Sequence, residues 1–224
     1  MKAGVITFPG SNCDEDLSYV LEKLCGMNVT RLWHKEAIPL DDYDLVALPG
    51  GFSYGDYLRC GAIASLSPIM QEVKNAAARG TLVLGICNGF QILCEAGLLP
   101  GALAKNETLS FVCRDVKLKV STVSSPWSNA YTANQAVTFP IAHGDGRYVV
   151  SENEFKSMKE KDQIVLTYDG VNPNGSSFDI AGVCNENKNV FGLMPHPERA
   201  TDLRSGDGKK LWQSILSTHR GNTP

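Results

Sequence analysis

The chain has 224 residues, 43% of them hydrophobic, and a formal net charge of −3 from 21 basic and 24 acidic side chains. That length suits one α/β domain with a sizeable core, and the mildly acidic balance, without a Lys/Arg cluster, argues against nucleic-acid binding. No apolar run approaches the roughly 18–20 residues of a membrane span, the apolar part of the N-terminal MKAGVITFPG is too short for a signal peptide, and seven scattered cysteines with no C-x-x-C argue against a disulfide framework or a zinc site, so a cytoplasmic chain is expected.

The first half alternates strand and helix. AGVITF (Ala3–Phe8) is a strand that stops at Pro9-Gly10. The next stretch, Ser11 to Gly26, reads as a helix with Ser11 or Asn12 as N-cap, acids in its first turn and glycine at its end. NVTRLWH (28–34) and DLVALPGG (44–51) are further strands, Ser67–Gly80 is a helix closed by glycine, and TLVLGI (81–86) is a fourth strand followed by a helix to Gly97. Continuously apolar strands between helices predict a parallel sheet covered on both faces. Beyond Gly101 the pattern turns to strands, at 110–125, 136–144, 163–170 and 179–198, before a last helix over 209–219. The charge-dense stretch Glu152–Asp162 mixes both signs and reads as solvated surface, and His219 reads as part of a frayed tail. With no linker, repeat or low-complexity tract, residues 1–224 form a single domain: a three-layer α/β fold, its mostly parallel central sheet extended by an antiparallel strand region.

The chemistry concentrates in LVLGICNGFQIL. Gly85-Ile86-Cys87-Asn88-Gly89 places a cysteine where G-x-S-x-G places the serine of a nucleophile elbow. A thiol at that strand-to-helix turn stands beyond the carboxyl end of a strand, where open α/β sheets bind ligands. The following helix favours thiolate through its dipole, and the Asn88 N–H is free to hold an oxyanion. Gln91, one turn along the same face, is placed to bind a polar substrate. Cys94, at +7, reads as core.

A cysteine nucleophile needs a base, and the base an orienter. Among four histidines, His196 has the most specific setting. Pro195 and Pro197 forbid helix there, and in extended chain Glu198 falls on the same side as His196. The triad is therefore Cys87, His196 and Glu198. Two glycines in LPGGFSYGDY let backbone approach a ligand, so the N–H of Gly51 or Phe52 supplies a second oxyanion donor. His143, in AHGDGR, belongs to a loop near the site or a partner, or to an ordinary turn. No metal site is expected. No P-loop occurs either: LRSGDGKKL imitates its end, but Leu203 stands where the first glycine belongs. A chain built for acyl cleavage, without a nucleotide site, fits a subunit better than a complete synthetic enzyme.

GICNGFQIL with a distant PHPER resembles the Cys-His-Glu, class I glutamine amidotransferases. TFPGSNCDED, PGGFSYGDYLRCGAIA, PIAHGDGRY, NPNGSSFDIAGV and GLMPHPERA narrow the resemblance, over Lys2 to about Trp212, to the glutaminase subunits of phosphoribosylformylglycinamidine synthase. The resemblance implies that Cys87 attacks the side-chain amide of L-glutamine to form a thioester, that His196 serves the leaving ammonia and then water, and that Glu198 orients His196. It places Gly51 and Asn88 at the oxyanion, and Phe52, Gln91 and His143 at the substrate. It also implies that ammonia passes to a separate large synthetase subunit, which binds ATP and Mg2+, with a small third subunit bridging the two; this chain itself then holds no cofactor. A different acceptor, or a cysteine hydrolase of peptidase type on the same fold, are the competing readings.

Overall fold

The structure is a computed structural model that describes residues 1–202 and 206–221. The start of the imitation phosphate loop, at 203–205, lies outside the described residues. In chain order the elements are β1 (Lys2–Thr7), α1 (Asp14–Tyr19), β2 (Asn28–Trp33), β3 (Leu45–Leu48), α2 (Ile69–Ala78), β4 (Leu82–Ile86), α3 (Asn88–Glu95), β5 (Ala102–Ala104), β6 (Val112–Val120), β7 (Ala136–His143), β8 (Arg147–Val149), α4 (Glu152–Glu160), β9 (Ile164–Tyr168), β10 (Ile180–Cys184), β11 (Val190–Leu193) and α5 (Lys209–Gly221).

Nine strands form one sheet in the order β2-β1-β3-β4-β11-β10-β9-β6-β7. From β2 to β11 every neighbour is parallel; from β11 to β7 every neighbour is antiparallel. The expected fold class and the extension of one sheet by the strand-rich half are both observed. β3, β4 and β11 are buried along their whole lengths, which is why their sequences are apolar runs and not alternating ones. The step from β1 to β2 runs one way along the sheet and the step from β3 to β4 runs the other. Right-handed crossovers then put α1 and α2 on opposite faces. The direction reverses between β1 and β3, so the crevice beyond their carboxyl ends is the favoured place for a ligand.

Both glycines of the elbow serve close packing. A Cβ on Gly89 would stand 2.0 Å from the Leu48 carbonyl oxygen, and one on Gly85 would stand 2.7 Å from Gly89 backbone. Helix α3 is thereby pressed against β3 and its own strand. Gly89→Ala is expected to lose about 2–3 kcal/mol, as overpacking does. Urea denaturation checks this; an unchanged midpoint would mean that α3 lifts off β3 at no cost.

Several local expectations need correction. The first helix begins at Asp14 with Cys13 at its cap and no side-chain cap bond. Ser11 is unavailable for capping because its hydroxyl accepts the Phe8 N–H at 3.0 Å. The helix also widens to a π-turn over Val20–Leu24. The charged residues of Glu152–Asp162 are exposed, as expected, but the stretch also holds α4, opened by a reciprocal capping box between Ser151 and Glu154. His219 belongs to α5, where its Nδ1 lies 3.7 Å from Asp44. β5 and β8 pair as a separate two-stranded sheet.

Candidate active site

Cys87 caps α3 with φ 51° and ψ −107°, a left-handed conformation that costs a non-glycine residue about 1–3 kcal/mol. Packing holds it there. Its N–H donates to the Leu193 carbonyl at 2.8 Å, and its thiol, 5% exposed, points at the Ala142 carbonyl 3.8 Å away. β4 and β11 are adjacent and parallel, so the turn after β4, carrying Cys87, and the turn after β11, carrying His196, emerge side by side. The His196 N–H donates to the Pro140 carbonyl at 2.8 Å, which ties that turn to β7.

His196 Nδ1 and Glu198 Oε1 are 2.6 Å apart, both side chains almost wholly buried. The two-residue spacing read from the sequence is thus realised as a hydrogen bond. It leaves Nε2 as the nitrogen nearest the thiol, with no hydrogen-bond partner among the described residues. Burial opposes the charged imidazole. The Glu198 carboxylate and the Cys87 thiol outweigh it and raise His196 from 6.5 to about 10. Gly50 lies at the centre of the group: a Cβ there would meet His196 Cε1 at 2.8 Å, Cys13 Sγ at 3.1 Å and Cys87 Cβ at 3.4 Å. Only glycine fits between base and nucleophile.

The oxyanion candidates separate cleanly. An antiparallel bridge between Ser11 and Gly51 is carried by the Phe52 N–H on the Gly10 carbonyl, at 2.9 Å, and the Asn12 N–H on the Gly50 carbonyl, at 3.4 Å. The Phe52 N–H is therefore committed. Gly51, at φ 149°, keeps its N–H outside the bridge. Asn88 opens α3, so its N–H has no carbonyl one helical turn behind it. The Phe52 ring is half exposed, its centroid 6.3 Å from that of Phe111.

Gln91 is held by bonds within the chain. Its Oε1 accepts from Asn88 Nδ2 at 2.8 Å and its Nε2 donates to the Asp145 carbonyl at 2.7 Å, while Asn88 Oδ1 accepts the Ser53 N–H at 3.2 Å. Both ends of the amide are used within the chain. Through these bonds α3 is tied to the loops carrying Ser53 and Asp145, and one Nε2 hydrogen and one Oε1 lone pair remain.

His143 ends β7, buried. Asn106 Nδ2 donates to two carbonyls, of Ser110 and His143, which fixes its amide orientation and leaves Oδ1 as acceptor. His143 Nδ1, 3.1 Å from that oxygen, must then carry the proton. Nε2 is an unprotonated, buried acceptor without a partner among the described residues. Burial, helped by the charge of His196, lowers His143 from 6.5 to about 4. Below 6.5 the unfolded chain binds this proton and the folded chain does not, so stability rises with pH from about 4 to 6.5 and is lost as pH falls through that window. Up to about 3 kcal/mol of acid destabilisation is expected from this residue. Urea titrations at pH 7 and 4.5 should show His143→Gln losing less stability on acidification than the wild type; an equal loss would place the acid sensitivity elsewhere.

The sequence reading missed two neighbours of the triad. Cys13, 4% exposed, accepts from Arg199 Nη2 at 3.1 Å, and Arg199 Nε donates to Asp16 at 3.0 Å. Burial pushes the Cys13 thiol up to about 12, against the pull of the guanidinium. No local spacing links positions 13 and 199; only the fold brings them together.

Residues 1–214 match the CobB/CobQ-like glutamine amidotransferase domain. The chain belongs to that family. Among curated members, this glutamine amidotransferase is 56% identical to the phosphoribosylformylglycinamidine synthase subunit PurQ of Alkaliphilus metalliredigens over 218 residues, 96% of each chain. It is 53% identical to the subunit of the same name from a Nostoc species, covering 96% of this chain and 97% of that one. Its fold superposes on a chain of the PurLQS structure from Thermotoga maritima with a TM-score of 0.88 and 47% identity, covering 97% and 98% of the two chains. A glutamine amidotransferase from the same organism, only 15% identical but with a TM-score of 0.60, shares the fold alone. The resemblance read from the five quoted motifs is borne out along nearly the whole chain.

Proposed function

We propose that Cys87, His196 and Glu198 hydrolyse L-glutamine in this chain, the glutaminase subunit of phosphoribosylformylglycinamidine synthase. The observation that carries the assignment is identity above 50% to PurQ subunits over nearly the full length of both chains. The buried Cys87–His196–Glu198 group supports the chemistry.

The Cys87 thiolate attacks the side-chain carbonyl carbon of glutamine. The N–H groups of Gly51 and Asn88 hold the oxygen as it becomes negative. His196 Nε2 gives its proton to the departing nitrogen, and ammonia leaves a γ-glutamyl thioester on Cys87. The now neutral Nε2 takes a proton from water, the hydroxide attacks the thioester, and glutamate departs as the thiolate is restored. Glu198 keeps the Nδ1 proton in place throughout, so Nε2 is always the nitrogen facing the thiol.

Ammonia passes to the synthetase subunit, which binds ATP and Mg2+ and makes formylglycinamidine ribonucleotide in purine biosynthesis; the small PurS subunit completes the complex. All seven cysteines are free, and no helix among the described residues is long and apolar enough to cross a membrane. Free thiols suit the reducing cytoplasm, where we place the chain. The test is amidine formation by the synthetase with ATP, formylglycinamide ribonucleotide and glutamine, with and without this chain. Product that depends on the chain is expected. A synthetase that uses free ammonia but gains nothing from this chain with glutamine would assign it to a different acceptor.

A further inference from the structure

Cys13 brings a second thiol to the triad. Its Sγ, an imidazole nitrogen of His196 and a carboxylate oxygen of Glu198 lie within 4.8 Å of one another, and all three residues are buried. Two further atoms of the group make no hydrogen bond by geometry among the described residues: Glu198 Oε2, on a side chain only 1% exposed, and His196 Nε2, which faces the Cys87 thiol. Buried polar atoms left unpaired are costly, and these belong to residue types that bind borderline-soft cations.

We propose that Cys13, His196 and Glu198 form an inhibitory zinc site within the glutaminase centre; the inhibition, though not the binding, rests on the function proposed above. Zinc takes sulfur at about 2.3 Å and nitrogen or oxygen at about 2.0–2.2 Å in tetrahedral array. Donors on such a tetrahedron stand roughly 3.3–3.8 Å apart, so the 2.6 Å bond between His196 and Glu198 must open to admit the ion. Binding releases the Cys13 thiol proton and one ring proton of the His196 imidazolium. Thiolate and carboxylate then neutralise the cation, with the imidazole as a neutral ligand. The Arg199 guanidinium, 3.1 Å from Cys13 Sγ, disfavours a cation there but favours the thiolate, and Asp16 offsets its charge. Water completes the coordination. With His196 and Glu198 on the metal, nothing moves the proton in glutamine hydrolysis. The ligands come from positions 13, 196 and 198, so the absence of C-x-x-C spacing says nothing against this site.

The test uses the full chain carrying Cys113→Ser, which removes an exposed thiol. Cobalt titration reads the thiolate-to-metal band in the near ultraviolet, and competition with a chromophoric chelator reads zinc affinity. The parent and its Cys87→Ala variant should both show the band and bind zinc with affinities within about threefold. Cys13→Ser should lose the band and bind zinc at least about tenfold more weakly. Glu198→Gln should weaken zinc by a similar factor, and serves if Cys13→Ser does not fold by circular dichroism. A band that survives in folded Cys13→Ser, or that disappears only in Cys87→Ala, overturns the site. Zinc that binds without slowing glutamine hydrolysis overturns the inhibition. If glutamine is not hydrolysed without metal either, the functional reading fails while the binding result stands.

Discussion

Cys87→Ala is expected to reduce glutamine-dependent amidine formation by on the order of 10⁴-fold or more, the usual cost of removing a covalent nucleophile, while ammonia-dependent formation by the synthetase is preserved. The asymmetry is the informative part. Free ammonia enters the reaction after the step that Cys87 performs, so the variant should be blind to it. The substitution also removes little from the fold: the Cys87 N–H bond to Leu193 is made by backbone and stays. Alanine at φ 51° is strained as cysteine is, so stability should change little and a melting curve serves as control. Equal loss with glutamine and ammonia would point to a failed complex. Undiminished glutamine use would move the nucleophile elsewhere; Cys13, the next thiol in the group, is held with its proton by burial.

What could be read in advance follows how local each signal is. The elbow is five consecutive residues, and the His196–Glu198 relation is set by two prolines and a spacing of two, so both were legible before any tertiary structure. The parallel half of the sheet was legible because β3, β4 and β11 are buried on both faces and carry no polar residue to confuse the pattern. α4 was missed because its charges were weighed and its start was not. Ser151 and Glu154 spell a capping box, with Phe155 and the buried Met158 on the inner side. The hydrogen-bonded amide of Gln91 could not be read at all, since its partners Asn88 and Asp145 are set by three loops meeting. The same holds for Phe52: only the bridge to Gly10 shows that its N–H is spent. Cys13 and Arg199 are 186 residues apart and meet only because β1 and β11 emerge at the same end of one sheet.

His196→Ala should cost glutamine hydrolysis on the order of 10⁴-fold or more, and Glu198→Gln less, by roughly tenfold to a hundredfold. The order follows from what each atom does. His196 carries the proton to ammonia and takes one from water; nothing else in the described group can. Glu198 acts at one remove, through the 2.6 Å bond to Nδ1. A glutamine there keeps the shape and an acceptor oxygen but loses the charge, so the imidazole is still oriented and the buried imidazolium loses its counter-ion. Burial, which opposes the cation, then has less against it, and the raised His196 falls back toward lower pH. The alkaline limb of kcat/KM, where the imidazolium is lost, should therefore move to lower pH in Glu198→Gln and vanish in His196→Ala. A carboxylate that merely packed against the ring would leave that limb in place. Loss in Glu198→Gln as large as in His196→Ala, with no displaced limb, would mean that the glutamate handles the reacting proton itself.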